Sequence, residues 1–241
     1  MKLENASCLI TGGTSGIGYC LAQELTRRGA RVSICGRDAA RLDRALSTLP
    51  GATGVVADVA QAEGRQRLVD AAQEQGRLDL LANNAGIQFR GEFTDQTPER
   101  IERELNVNLV GPILLAHALL PLLQVSKGKL VNMTSGLGYA PAHDACVYSA
   151  TKAGLHSFTW ALRASAERHQ VRVVEVIPPL VATELTVGRD ASKMARPESV
   201  ALAIAEGLVQ GKALIAPGIA CFVPWLARVA PRLLERKMNE K

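Results

Sequence analysis

Aromatic residues make up only 4% of this 241-residue chain, and Ala, Leu and Val fill the apolar positions instead. Such a composition fits helices packed on a buried parallel sheet. Cysteine is sparse and unpaired: Cys8, Cys20, Cys35, Cys146 and Cys221 lie far apart and form no CxxC motif. The first apolar run is short and leads straight into glycines, so it reads as a strand and not as a secretory h-region. An odd cysteine count in that setting sets the expectation of reduced thiols in a cytoplasmic protein. No uninterrupted apolar run approaches the roughly 20 residues of a membrane span, so membrane association is not expected. The formal charge of +5 leaves room for phosphorylated or acidic ligands, with an Arg-rich solvated surface as the plainer reading. The basic residues do not cluster with aromatics, so no nucleic-acid partner is expected. No His, Cys and Asp cluster has metal-ligand spacing, and no metal is expected. Internal repeats and low-complexity linkers are absent as well, which leaves one domain over 1–241.

What is present is a regular alternation. Strands are expected at 6–11, 31–35, 53–57, 78–81, 128–134, 171–177 and 213–216, and helices at 19–28, 39–49, 61–75, 97–123, 145–168 and 197–210. That order means an α/β fold, a doubly wound parallel sheet of about seven strands flanked by helices. Thr97-Pro98 is a helix start, a Thr cap with Pro at the first helical position, and Gly111-Pro112 is expected to bend the long helix it opens. The short polar segment 182–196 is expected to be a small substrate lid. The tail 219–241 mixes apolar and basic residues. It is expected to pack on its own subunit or a partner subunit, with an interfacial membrane anchor as the alternative.

The first strand runs into Thr11-Gly12-Gly13-Thr14-Ser15-Gly16-Ile17-Gly18. Strand, glycine-rich turn and helix make a phosphate cradle of Rossmann-like type. The glycines let the backbone approach a pyrophosphate, and the helix N-terminus offers free N–H groups and a positive dipole end. At the end of the second strand an acidic residue would grip a ribose 2′-OH, whereas an Arg accommodates a 2′-phosphate. Gly36 stands where the acid is expected and Arg37 follows, which points to NADP(H) with NAD(H) not excluded; a surface Arg at a helix start is the other reading. Asp38 reads as the cap of the next helix. Asn83-Asn84-Ala85-Gly86 closes the fourth strand, where short amides can tie strands together or touch a ribose.

The fifth strand delivers Ser135 at its C-terminal end, where open α/β sheets bind ligands. Tyr148 and Lys152 follow, four residues apart and on one face of a helix. An ammonium held near a phenol favours the phenolate and lowers the tyrosine pKa. That pair could exchange a proton with an alcohol or a carbonyl near neutral pH. Asn108 lies among apolar neighbours and needs partners there.

Thr11-Gly12-x-x-x-Gly16-x-Gly18, Asp58, Asn83-Asn84-Ala85-Gly86, Asn108, Ser135 and Tyr148-x-x-x-Lys152 stand in the order found in the short-chain dehydrogenase/reductase family, which the chain resembles over nearly its whole length, in the compact single-domain branch. Ser135 precedes Tyr148 by 13 positions, the family's usual spacing. The resemblance implies hydride transfer between NADP(H) and a carbonyl or secondary alcohol of a small organic substrate. It implies that Gly12, Thr14, Ser15, Gly16, Ile17 and Gly18 line the pyrophosphate and adenine-ribose side, that Arg37 meets the 2′-phosphate, that Asp58 and Val59 bracket the adenine, and that Asn84, Ala85 and Gly86 lie along the ribose. Pro178, Val181 and Thr183 would stand beside the nicotinamide. Tyr148 would be the general acid/base, Lys152 would bind the nicotinamide ribose, Ser135 would hydrogen-bond the substrate oxygen, and Asn108 would hold a water linking Lys152 to solvent. His143, between Ser135 and Tyr148, either meets substrate or belongs to a plain loop.

Two departures stand out: Pro178-Pro179 where the family has Pro-Gly, and Ser15 where its NADP branch often has a basic residue, which leaves Arg37 to carry the coenzyme preference. The family pairs two long helices, here 97–123 and 145–168, into homodimers or homotetramers. Ile34-Cys35-Gly36-Arg37, the stretch 83–88, Thr134-Ser135-Gly136-Leu137 and the stretch 150–158 are similar to uncharacterised oxidoreductases encoded with lipoteichoic-acid D-alanylation genes. The competing reading is a non-catalytic NADP(H)-binding sensor or scaffold, because a fold does not establish a function.

Overall fold

A computed structural model describes residues 2–239. The elements are β1 (Ser7–Thr11), α1 (Gly16–Arg27), β2 (Arg31–Gly36), α2 (Ala39–Leu46), β3 (Thr53–Val56), α3 (Ala62–Glu74), β4 (Leu80–Asn83), α4 (Pro98–Leu105), α5 (Gly111–Ser126), β5 (Lys129–Met133), α6 (Cys146–Glu167), β6 (Arg172–Val176), α7 (Pro197–Gln210), β7 (Leu214–Ile215), α8 (Val223–Val229) and α9 (Pro231–Asn239). The seven strands form one parallel sheet in the order β3-β2-β1-β4-β5-β6-β7. The chain winds outward from β1 in one direction and then crosses to β4 and winds the other way. The crevice at the C-terminal ends of β1 and β4 is therefore the switch point where such sheets take ligands.

Alternate strand residues face opposite layers. Ile10, Ile34 and Val174 meet Leu21 and Leu25 of α1 and Ile204 and Leu208 of α7. Leu9, Leu81 and Val173 meet Leu68 of α3 and Leu115, Leu119 and Leu123 of α5. Both faces are covered, so the central strands carry apolar residues almost continuously. Each fully buried Leu contributes about 1.5–3 kcal/mol.

The long helix departs from expectation. It does not simply bend at Gly111-Pro112; residues Asn106–Val110 form a π turn between α4 and α5, in which the Gly111 N–H donates to the Asn106 carbonyl five residues back. Pro112 has no N–H to give the Asn108 carbonyl, so the ladder slips one position before the proline. Gly111 is needed there, since a Cβ would stand 2.8 Å from the Val59 carbonyl oxygen. The helical run 98–126 is long and apolar enough by length and composition to cross a bilayer, yet Leu115, Leu119 and Leu123 are buried against the sheet.

β4 begins at Leu80, two residues later than expected; just before it the Asp79 carboxylate accepts from the Ser7 N–H and from Arg77. The tail folds back on its own chain. Val223 and Leu234 bury against Ala140, and Asn239 accepts from the His143 N–H at 2.9 Å and donates to the Pro141 carbonyl at 3.1 Å. Segment 182–196 holds two 3-10 turns, Glu184–Thr186 and Ala191–Lys193, closed by a bridge between Val181 and Ala195.

Candidate active site

The turn between β1 and α1 is built around glycine for steric reasons. Gly12 and Gly16 have φ of +65° and +56°, a region that L side chains rarely adopt. A Cβ on Gly18 would lie 2.3 Å from both the Gly12 carbonyl oxygen and Asn84 Nδ2. α1 begins at Gly16, and its Ser15 cap makes no side-chain bond, so the first N–H groups of the helix keep their capacity for an anion. Asn84 braces the turn from β4, donating from Nδ2 to the carbonyls of Thr11 and Gly12 at 3.0 Å each. Its amide thus secures the cradle, while Asn83 ties β4 to β5 through Asn132 at 2.9 Å. Thr14 leans over the end of β2, where a Cβ on Gly36 would meet its Cγ2 at 2.5 Å; an acidic side chain has no room in that position. Arg37 is exposed beside it. Thr183 comes down from the lid segment, with its Cγ2 3.1 Å from where a Gly16 Cβ would be. Glycine backbone, helix N-terminus and a nearby guanidinium together fit a phosphorylated dinucleotide.

Three elements converge beside this cradle. Ser135 leaves β5 and caps a 3-10 turn, its Oγ accepting from the Leu137 N–H at 3.1 Å. The hydroxyl proton is left to donate elsewhere. Lys152, buried on α6, donates from Nζ to the Met133 carbonyl at 2.8 Å and stands 5.5 Å from the centroid of the Tyr148 ring. Gly86 faces the same point: a Cβ there would be 3.8 Å from Lys152 Nζ and 3.5 Å from Asn108 Oδ1. Desolvation lowers the Lys152 pKa to about 8, with Glu104 pulling it back up.

The Tyr148 phenol differs from expectation. Burial raises it to about 12, against a lowering by the Ser135 hydroxyl, and Glu104 adds to the rise. Lys152 Nζ, 5.5 Å from the ring centroid, is engaged by the Met133 carbonyl. A phenol of this kind is protonated at neutral pH and suited to giving a proton.

Asn108 is wholly buried in the π turn. Its Oδ1 accepts from the Ile87 N–H at 2.9 Å and its Nδ2 donates to the Ile87 carbonyl at 2.8 Å, so the side chain clamps the loop after β4. Glu104, one turn earlier, accepts from the Phe89 N–H at 3.1 Å. Burial raises the Glu104 pKa to about 7. Glu104 escaped the sequence reading; the signal was an acid four residues before a buried Asn. Arg90 and Arg189 were also missed. Both bear electrostatically on the Tyr148 phenol. Arg90 pairs with Asp144, and its Nε is buried without a partner.

Some expected residues stand apart. His143 lines a groove of about 910 Å³ between α6 and α9, with Cys146, Arg232 and Arg236, and neither Ser135 nor Tyr148 borders that groove. Asp58 is pushed up by burial but held below the usual carboxylate range by Arg103, whose Nη2 donates at 2.6 Å. Val59 is packed into the core layer of α3 and α5. Pro178 follows β6, and Val181 is buried under the lid bridge.

Comparison with known proteins agrees with this fold. The model of the short chain dehydrogenase family matches residues 6–193. The uncharacterized oxidoreductase DltE of Bacillus subtilis (strain 168) is 40% identical over 189 residues, which is 77% of this chain and 75% of that protein. Among solved structures, a short-chain dehydrogenase from Sphingobium yanoikuyae in complex with NADPH is similar with a TM-score of 0.85 and 27% identity, over 98% of this chain and 97% of that one. A 3-ketoacyl-(acyl-carrier-protein) reductase from Brucella melitensis complexed with NADH gives a TM-score of 0.80 and 27% identity, over 89% of this chain and 97% of that one.

Proposed function

The chain belongs to the short-chain dehydrogenase family, and from that premise we propose that it interconverts a small carbonyl compound and its secondary alcohol with NADP(H), using Tyr148 as the proton donor and acceptor. The observation that carries the reading is the convergence of Ser135, Tyr148 and Lys152 beside the glycine cradle at the C-terminal ends of the central strands. The NADPH and NADH held by the Sphingobium and Brucella relatives support a nicotinamide coenzyme.

NADP(H) supplies or takes up the hydride when bound. The turn Gly12, Thr14, Ser15, Gly16, Ile17 and Gly18 would hold its pyrophosphate. Arg37 would take the 2′-phosphate, and Asp58 and Val59 the adenine side through their backbone, since Asp58's carboxylate is engaged with Arg103. Ala85, Gly86 and Lys152 would border the ribose, and Pro178, Val181 and Thr183 the nicotinamide end. As a carbonyl is reduced, negative charge grows on its oxygen. Ser135 and Tyr148 donate to that oxygen, and Tyr148 gives up its proton. Lys152 and Asn108 return the proton from solvent. For the latter, Pro112 leaves the Asn108 carbonyl without its α-helical donor and so with capacity for a water. Segment 182–196 acts as the substrate lid of a one-domain cytoplasmic enzyme, and two or four copies pair through α5 and α6, where Leu114 and Trp160 are exposed.

A panel of ketones, aldehydes and secondary alcohols, run with NADPH or NADP⁺ and then with NADH or NAD⁺, tests the reading. Turnover that is faster with the phosphorylated coenzyme, and loses that preference in Arg37→Gln, is the expected result. Coenzyme binding without turnover anywhere in the panel would favour a sensor.

A further inference from the structure

Glu175 sits in β6 in the run Val173-Val174-Glu175-Val176 and is wholly buried. Burial by itself pushes a carboxyl up, but the donors around Glu175, His156 foremost, hold it below the ordinary glutamate value, and it is ionised. Thr134 Oγ1 donates to its Oε1 at 2.8 Å and Trp160 Nε1 to its Oε2 at 2.9 Å. The Tyr139 hydroxyl lies 3.2 Å from each oxygen. His156 Nδ1 is 2.9 Å from Oε1. An ionised carboxylate only accepts, so that nitrogen carries the hydrogen. A carboxylate offers roughly four acceptor positions, and four donors surround it; the Thr134 hydroxyl also lies 3.0 Å from the Val176 carbonyl oxygen.

The donors come from the two pieces of chain that bear the reacting groups. Thr134 immediately precedes Ser135, and Tyr139 closes the 3-10 turn that Ser135 caps. His156 and Trp160 continue, at four-residue spacing, the stripe on α6 that begins with Tyr148 and Lys152. The rings pack as two tilted pairs, with centroids 4.3 Å apart for Tyr139 and His156 and 5.7 Å apart for His156 and Trp160. We infer that Glu175 is the positioning residue that sets the separation between the Ser135 hydroxyl and the Tyr148 phenol, by fastening the end of β5 to the face of α6. This rests on the proton chemistry proposed above. A charge-free residue of the same shape does not replace it. In Glu175→Gln one oxygen becomes an NH₂ group facing donors, so buried partners are left unmatched and the two pieces part. A shift of about 1 Å at a reacting centre costs on the order of 100-fold in rate.

The test uses the full-length enzyme with NADPH and its best carbonyl from the panel. Glu175→Gln is expected to keep its KM for NADPH and lose about 100-fold in kcat, at a temperature well below its melting point. Thr134→Val, which removes one of the two donors on the β5 side and leaves Tyr139, is expected to lose less. The double variant is expected to be no slower than Glu175→Gln alone, because both act through one link. Undiminished kcat in folded Glu175→Gln, or losses in the double variant that simply multiply, overturns the inference. If Glu175→Gln does not fold, Thr134→Val decides by the same kcat-against-KM split. If the wild type turns over nothing, the functional proposal fails on its own. Crystal structures of the wild type and Thr134→Val then settle the positioning role: a longer Ser135 Oγ to Tyr148 Oη separation in the variant supports it, and an unchanged one refutes it.

Discussion

Lys152 donates to the carbonyl of Met133 at 2.8 Å, the last residue of β5 and two residues before Ser135. The bond sets the amine of α6 against the end of β5. The ammonium thus lies beside the Tyr148 ring at 5.5 Å from its centroid, while Ser135, Arg90 and Arg189 act on the phenol to favour its ionised form.

Tyr148→Phe keeps the ring and removes the proton. Carbonyl reduction is expected to slow by about 10²–10⁴-fold, the usual worth of a general acid. NADPH binding, followed by fluorescence titration, is expected to stay at the wild-type level. Full activity in this variant would sink the proposed mechanism.

Gly18→Ala tests the cradle. The new methyl would collide at 2.3 Å with the Gly12 carbonyl and the Asn84 amide, neither of which is the loose end of a side chain. A loss of about 1–3 kcal/mol in stability by urea denaturation is expected, together with weakened NADPH binding. Gly76→Ala is a control for positive φ alone, since nothing lies within 4 Å of its Cβ position.

Glu104 predicts a pH-dependent stability. Burial raises its pKa from 4.5 to about 7, so the folded protein holds this proton more tightly than the unfolded chain. The stability that follows is fully present below pH 4.5 and is lost as pH rises through 7. Glu104→Gln, which can still accept from the Phe89 N–H, is expected to lack that decline and to melt higher than the wild type at pH 8. Melting temperatures that run parallel from pH 4.5 to 8 would count against the assignment.

Arg90 and Arg189 bear on the Tyr148 phenol, and Asp144, which pairs with Arg90, and the phenol itself are the negative groups that act on Arg189. Carbonyl compounds carrying a carboxylate are therefore expected to have a lower KM than their methyl esters. Arg189→Gln is expected to raise the KM for the acid roughly tenfold or more, the worth of a hydrogen bond to a charged group, and to leave the ester unchanged. Equal KM values for acid and ester in the wild type would refute this.

The alternation of apolar runs and helical periods, with glycine at Gly12, Gly16 and Gly18, was enough to place the sheet, the switch point and the cradle. These features are local: a strand, a turn and a helix each state their geometry over a few consecutive residues, and Tyr148 and Lys152 share a helix face by spacing alone. The order of motifs that marks the family is likewise a property of the linear chain.

Tertiary structure decided the rest. The tail's partner, the slip of the α4–α5 ladder before Pro112 and the use of Asn84 as a brace all depend on contacts between residues far apart in sequence. The protonation of the site depends on burial, which spacing does not report. The reading from spacing put the lysine charge to work on Tyr148; the fold adds burial, which raises the phenol and lowers the amine. Glu175 shows the limit most plainly. In the sequence it is one acid among valines. Only when β5, β6 and α6 come together does it gain four donors, and only then do Ser135, Tyr148 and Lys152 share one fixed frame.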